Sequence, residues 1–315
     1  MRISTSAYFA TSLYGIQNQQ SAISRLNQQI ASGQRMLAAK DDPVANARAM
    51  GLENSLATRS QFASNQLKLE LVQKETMTVL NELDDAFVKA REVVSTGQNA
   101  YDPSLREQAA LTLNGLYKHI AELANYRDTQ GNYLFSGHET DTRPFVHTQV
   151  FDPTSSATAV SAATTYAGDA GVREIVVDSG RTLRANESLT DVLQPGVAGA
   201  DLLQILDQLA IDLRDTSMDP ATLQANLSAA YDDISNAMDA LKEVQTSLAG
   251  RQLELADVTG ANTALININE DILGELTQVE QERAIVELQQ RQTILQAAMS
   301  AFSSSSRLSL FNYLG

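Results

Sequence analysis

Apolar residues recur every seventh position at both ends of this chain. Near the start, Phe9, Ile16, Ile23, Ile30 and Leu37 are separated mainly by Gln, Ser, Asn and Ala. Such a stripe is a narrow apolar seam on an otherwise polar helix, and it needs a partner helix to cover it. Toward the other end, Leu227, Ile234, Leu241, Leu248 and Leu255 repeat in one column, and Val258, Leu265, Ile272, Val279 and Val286 in another. Read literally, this pattern predicts one unbroken helix from Pro220 to Val286, roughly 100 Å long. Helices of globular domains average about 11–12 residues, so the length argues for a bundle or coiled coil. Leu288, Leu295 and Phe302 then shift the register before a soft tail, SSSSRLSLFNYLG.

Inside these ends, three Asp-Pro pairs punctuate the pattern. In Asp42-Pro43, Asp102-Pro103 and Asp219-Pro220 the acid can cap a helix whose first residue is the proline. Leu69, Val72, Leu80, Leu83, Phe87 and Val94 form one helical stripe, and Leu105, Ala109, Leu113, Leu116, Ile120 and Leu123 another. With TGQNAYDP (96–103) as the turn between them, the two read as an antiparallel helical hairpin.

The middle of the chain differs. Seven of the 16 glycines and three of the six prolines fall between 131 and 199. There, YLF (133–135) is β-prone, and REIVVDSGRTLRAN (173–186) reads as a β-hairpin turning at Asp178-Ser179-Gly180. Residues 154–165 are nearly all Ser, Thr or Ala, a loop or solvent-facing ribbon. The fold class is therefore mainly α: a long coiled-coil or helical-bundle rod built from both chain ends, with a small β-rich insert in the middle. The expected division is a discontinuous terminal coiled-coil domain (1–42 with 279–315), a discontinuous helical rod (43–136 with 200–278) and an outer insert (137–199).

Composition narrows the function classes. Hydrophobic residues make up 43% but aromatics only 5%, with no Trp, so the core is aliphatic. The net charge of −15 comes without Lys/Arg-rich runs, which disfavours nucleic acid and anionic membrane surfaces as partners. Absence of Cys removes disulfides, thiolate nucleophiles and Cys-ligated metals. MRISTSAYFATSLYGIQNQQ has no apolar core of signal-peptide length, and no stretch approaches a membrane span, so an exported protein would use another route.

Candidate chemistry is sparse. His119 lies at the edge of a helical stripe. His138 and His147 could meet across strands, but only Glu139 and Asp141 are local acids, too few for a zinc site. The pairs Asp41-Asp42, Asp84-Asp85 and Asp232-Asp233 are adjacent in sequence and do not face each other on a helix, so they are no acid/base dyads. The sequence has no G-x-S-x-G elbow, GxGxxG or phosphate loop. No enzyme, cofactor or metal is expected. The candidate site is instead an assembly interface: Phe9, Ile16, Ile23, Ile30, Leu37, Val279, Val286, Leu288, Leu295 and Phe302. The terminal stripes are expected to pack together only when neighbouring copies cover them, leaving loose ends in a lone monomer.

Local sequence adds a resemblance. RIST (2–5), IASGQR (30–35) and KDDPVA (40–45) resemble the N-terminal region of the flagellin family. GNYLFSGHETDTRPF (131–145) and YAGDAGVREIVV (166–177) are similar to the family's entry into, and a segment of, its outer domain. ELQQRQTILQAAMSAFSSSSRLSLFNYL (287–314) resembles its C-terminal seam. Pro43 after the two Asp, the RIST start and the short insert point away from bulk filament subunits and toward a subunit joining hook to filament. The resemblance implies export through the flagellar type III apparatus and an extracellular place in the flagellum. Its implied partners are copies of itself in a ring, a neighbouring hook-associated protein, flagellin and an export chaperone on the C-terminal helix. A filament subunit, or a coiled-coil adhesin or adaptor, would show the same seams.

Overall fold

The computed structural model describes residues 2–97, 102–154, 160–193 and 201–314. Four long helices dominate: α1 (Arg2–Ser32), α2 (Pro43–Gly97), α6 (Pro220–Thr277) and α7 (Gln281–Leu314). Between α2 and α6 lie α3 (Pro103–Ala124), β1 (Phe145–Val146), β2 (Thr165–Tyr166), β3 (Glu174–Asp178), β4 (Arg181–Arg184), α4 (Thr190–Leu193) and α5 (Leu202–Arg214). The chain divides into two compact units, one of 1–60 with 263–315 and one of 61–262.

The expected caps form. Asp42 accepts from the Ala45 amide at 3.0 Å, Asp102 from Ser104 at 2.9 Å and Asp219 from Thr222 at 3.2 Å, each satisfying a free helix N-terminal donor. Asp201 adds a fourth cap at α5, accepting from Gln204. Of the turn expected at 96–103, residues 98–101 lie outside the described residues, as do 155–159 of the Ser/Thr/Ala segment and Pro195, Gly196 and Gly199.

In the unit of 61–262 the core runs along α2, α3, α5 and α6. Phe87, Leu80, Leu83, Leu113, Ile120, Leu202, Leu203, Ile234 and Leu241 are completely or almost completely buried. The α3 face is rotated from the expected one. Ala110, Leu113, Tyr117, Ile120, Leu123 and Ala124 point inward, while Leu105 is 51% exposed. There α3 packs on α5, whose buried face is Leu-rich but also carries Asp207 and Asp212, and Tyr117 is buried on the side of α3 that this packing covers. His119 is exposed.

Two two-stranded sheets form in the middle. β3 pairs with β4 as expected, with Gly180 at φ +77° in the turn, where a side chain would be strained. The hairpin lies on the helices: Asn65 and Gln66 of α2 donate side-chain amides to the carbonyls of Val176 and Val177 at 2.9 and 2.7 Å. Beneath it, Val177, Leu183 and Ala185 pack with Leu69, Leu255 and Val258. Arg251 pairs with Glu187 beside this cluster. Burial pushes the Glu187 carboxyl above its ordinary range, against the pull of Arg251. YLF at 133–135 is not a strand. Its residues are buried in a turn region with one isolated bridge, Arg127 to Tyr133, because the Asp128 side chain collects the amides of Gln130 and Asn132 and folds the segment tightly. The strand that does form there, β1, pairs with β2.

Candidate assembly site and a buried polar relay

In the unit of 1–60 with 263–315, α1 packs on α7 within a single chain. Phe9, Ile16, Ile23 and Ile30 on α1 are half-buried, as are Leu288, Leu295 and Phe302 on α7. The rings of Phe9 and Phe302 meet edge-on, 5.6 Å apart. Leu26 at 8% exposure and Ala284 at 5% complete the seam. Both sit at the positions three or four residues from the heptad column, which makes a two-position seam of what the sequence offered as one. Gln19 and Arg291 also meet across it, 3.4 Å apart.

This corrects two expectations. The terminal helices pair inside one chain, so their meeting does not wait for a neighbour. The Ser-rich tail from 303 is helical, since α7 continues to Leu314. Side chains from 307 onward lie outside the described residues.

Three of the candidate residues are not in the seam. Leu37 lies in the loop after α1 and is 37% exposed. Val279 sits half-buried in a non-helical break at 278–280, and Val286 is 64% exposed. The break is the reason: the column from Val258 to Val286 assumes one continuous helix, whereas α6 stops at Thr277 and α7 starts afresh at Gln281. Further apolar side chains stay uncovered on the same two helices. Leu13 is 48% exposed, Tyr14 66%, Ile285 44%, Ile294 47% and Met299 52%.

The break is held by the loop after α1. Gly33, at φ +70°, turns the chain so that its carbonyl accepts from the Val279 amide at 2.9 Å. Gln34 bridges to Gln278, and the Arg35 amide donates to the Thr277 carbonyl at 2.7 Å. The Arg35 guanidinium reaches the Leu276 carbonyl at 3.0 Å and Asp42 at 3.3 Å. Asp41 binds Arg25 and accepts from the amides of Leu37 and Ala38. The Ala45 amide, then Arg35, hold the Asp42 carboxyl below the usual carboxylate range; Asp41 is held low by Ala38 and Leu37, against its partial desolvation.

The histidines go separate ways. His138 gives its amide to Asp169, whereas His147 lies between Tyr117 at 2.6 Å and Ser161 at 3.1 Å. Ser161 donates to Asp207 at 2.7 Å, and Asp207 also accepts from the amides of Val150 and Phe151. Burial, then Asp207, pushes the Tyr117 phenol up to about 12. In this relay the serine spends its proton on a buried carboxylate, and the histidine nitrogen facing it is left to donate. The imidazole is therefore not placed to take a proton from the serine, and the relay works as a tether of the insert to α3 and α5. Sequence spacing carried no sign of it, because its four members come from four distant segments. Among the described residues no group of three or more His, Asp or Glu could hold a metal ion, and no helix is long and apolar enough to cross a membrane.

Residues 3–140 match the family model described as the bacterial flagellin N-terminal helical region. The N-terminal part of the chain thus resembles the flagellins. A likeness to hook-associated proteins runs end to end. Flagellar hook-associated protein 3 of Escherichia coli (strain K12) is 26% identical over 99% of both chains, and that of Salmonella typhimurium 27% over 99% of both. Among solved structures, the flagellar junction protein FlgL from Legionella pneumophila matches with a TM-score of 0.57 at 14% identity, covering 73% of this chain and all of that one; it shares the fold.

Proposed function

We propose that this chain is the structural subunit joining hook to filament in a bacterial flagellum. The observation that carries the reading is the likeness to hook-associated protein 3 of two bacteria over 99% of both chains. The paired end helices support it, because they are an elongated two-helix element with apolar side chains still uncovered on both members. Such side chains stabilise by about 1.5–3 kcal/mol each when buried, so neighbouring subunits have a driving force to cover them.

On this reading 1–42 with 279–315 is the assembly segment, 43–136 with 200–278 the rod, and 137–199 the outer insert. The inner stripe of Phe9, Ile16, Ile23, Ile30, Leu288, Leu295 and Phe302 holds the two ends together. The outer side chains, Val286 among them, face neighbouring copies in a ring, the adjoining hook-associated protein and flagellin. The subunit leaves the cell unfolded through the flagellar type III apparatus, with a chaperone guarding the C-terminal helix beforehand, and acts outside the cell without catalysis.

Deleting the gene tests the reading. Cells should build hooks without filaments and release filament protein into the medium, and the wild-type gene should restore swimming. Normal filaments on deletion cells would overturn it. Long filaments grown by the purified chain alone would make it a filament subunit.

A further inference from the structure

The break between α6 and α7 has no sequence cause. GELTQVEQERA (274–284) contains no proline, and its only glycine, Gly274, lies inside α6 before the break. Its Glu, Gln, Leu, Arg and Ala are good helix formers. Tertiary bonds from the loop at 33–35 take the place of helical ones. In a continuous helix the Thr277 carbonyl would accept from Gln281, the Leu276 carbonyl from Glu280, and the Val279 amide would donate to Glu275. Here the first accepts from the Arg35 amide, the second from the Arg35 guanidinium, and the third donates to Gly33. The same three groups thus have two sets of partners, one from the clasp and one from the helix.

The apolar pattern points the same way. Leu265, Ile272, Val279 and Val286 form one column only if the helix is unbroken. In the clasped state Leu265, Ile272 and Val286 are 40%, 41% and 64% exposed. A seven-residue repeat that runs across a break is informative, because a helix that always stopped at Thr277 would have no need to keep it in phase.

We propose that residues 278–280 are a two-state joint: clasped by Gly33 and Arg35, or folded as helix so that α6 and α7 become one. The Thr277 and Leu276 carbonyls and the Val279 amide keep a partner in either state, and the groups released by the exchange lie at an exposed loop where water can take them, so a perturbation at Arg35 can move the balance. Arg35 is the positioning residue, since it supplies the bonds to both Leu276 and Thr277 and ties the loop to Asp42.

The test is nuclear magnetic resonance of the full-length chain, reading the Cα chemical shifts of Val279 and Glu280. It does not depend on the flagellar reading, so either can fail alone. In Arg35→Ala these shifts should move to helical values while those of α1 stay unchanged. A second variant, Gln34→Cys with Gln278→Cys, joins the bridged pair by a disulfide that cannot mispair in a chain without cysteine. Adding Arg35→Ala to it should give non-helical shifts when oxidised and helical ones when reduced. Shifts that go to coil values in Arg35→Ala, or do not move, would overturn the proposal.

Discussion

Phe9 on α1 and Phe302 on α7 meet edge-on, with ring centroids 5.6 Å apart and planes inclined at 84°. Their meeting brings the two ends of the sequence together within one molecule. An edge-to-face pair adds about 0.5–1.5 kcal/mol beyond the area it buries. A double-mutant cycle of Phe9→Ala and Phe302→Ala should therefore show coupling of that size in the opening of α1, followed by amide hydrogen exchange. Additive effects of the two substitutions would mean that the helices do not pair in the free chain.

The inner core should be far more demanding than the ends. Phe87 has no exposed surface and lies among Leu83, Leu113 and other aliphatic side chains. Phe87→Ala should cost about 3–5 kcal/mol through lost contacts and a residual cavity. The urea midpoint of the unit of 61–262, followed by circular dichroism, measures it. A loss well under 1 kcal/mol would show that this helical core is loosely packed.

The insert carries an acid-sensitive turn. Asp169 accepts from the amides of His138 and Gly171, and the His138 bond is the main reason its carboxyl is held below the ordinary 3.8. A folded-state value below the unfolded one means that the stabilisation is complete above about pH 3.8 and is lost as pH falls through the lower folded value. The protection of the His138 amide, taken relative to the unstructured exchange rate at the same pH, should therefore fall only in strongly acidic solution. Asp169→Asn should flatten that dependence. An Asn variant with the same acid response would place its origin elsewhere. Gly137 belongs to the same turn: at φ +76°, a Cβ there would run into Asp169, so Gly137→Ala should loosen the turn at any pH.

Much of this architecture is written locally. The Asp-Pro caps at 42, 102 and 219 are short-range chemistry, and so is the Ser179-Gly180 turn, which is why each forms where the sequence places it. The seam residues of α1 and α7 were legible because a seven-residue column leaves few other uses for Ile23 or Leu295. What failed depends on distant partners. The helix break at 278–280 is imposed by Arg35, more than two hundred residues away. Tyr117 is buried on the side of α3 that α5 covers, and YLF is diverted from a strand by the side chain of Asp128. The polar relay of Tyr117, His147, Ser161 and Asp207 is invisible to any pattern of spacing.

The central claim is that the paired ends assemble the protein between hook and filament, and a charge placed in the seam tests it most directly. In cells carrying Ile23→Asp or Leu295→Asp in place of the wild-type chain, flagella should be imaged by electron microscopy, with the melting of the inner core measured on the purified variants. The predicted result is bare hooks, filament protein in the medium and an unchanged melting transition for the unit of 61–262. Full-length filaments and normal swimming in both variants would contradict the account.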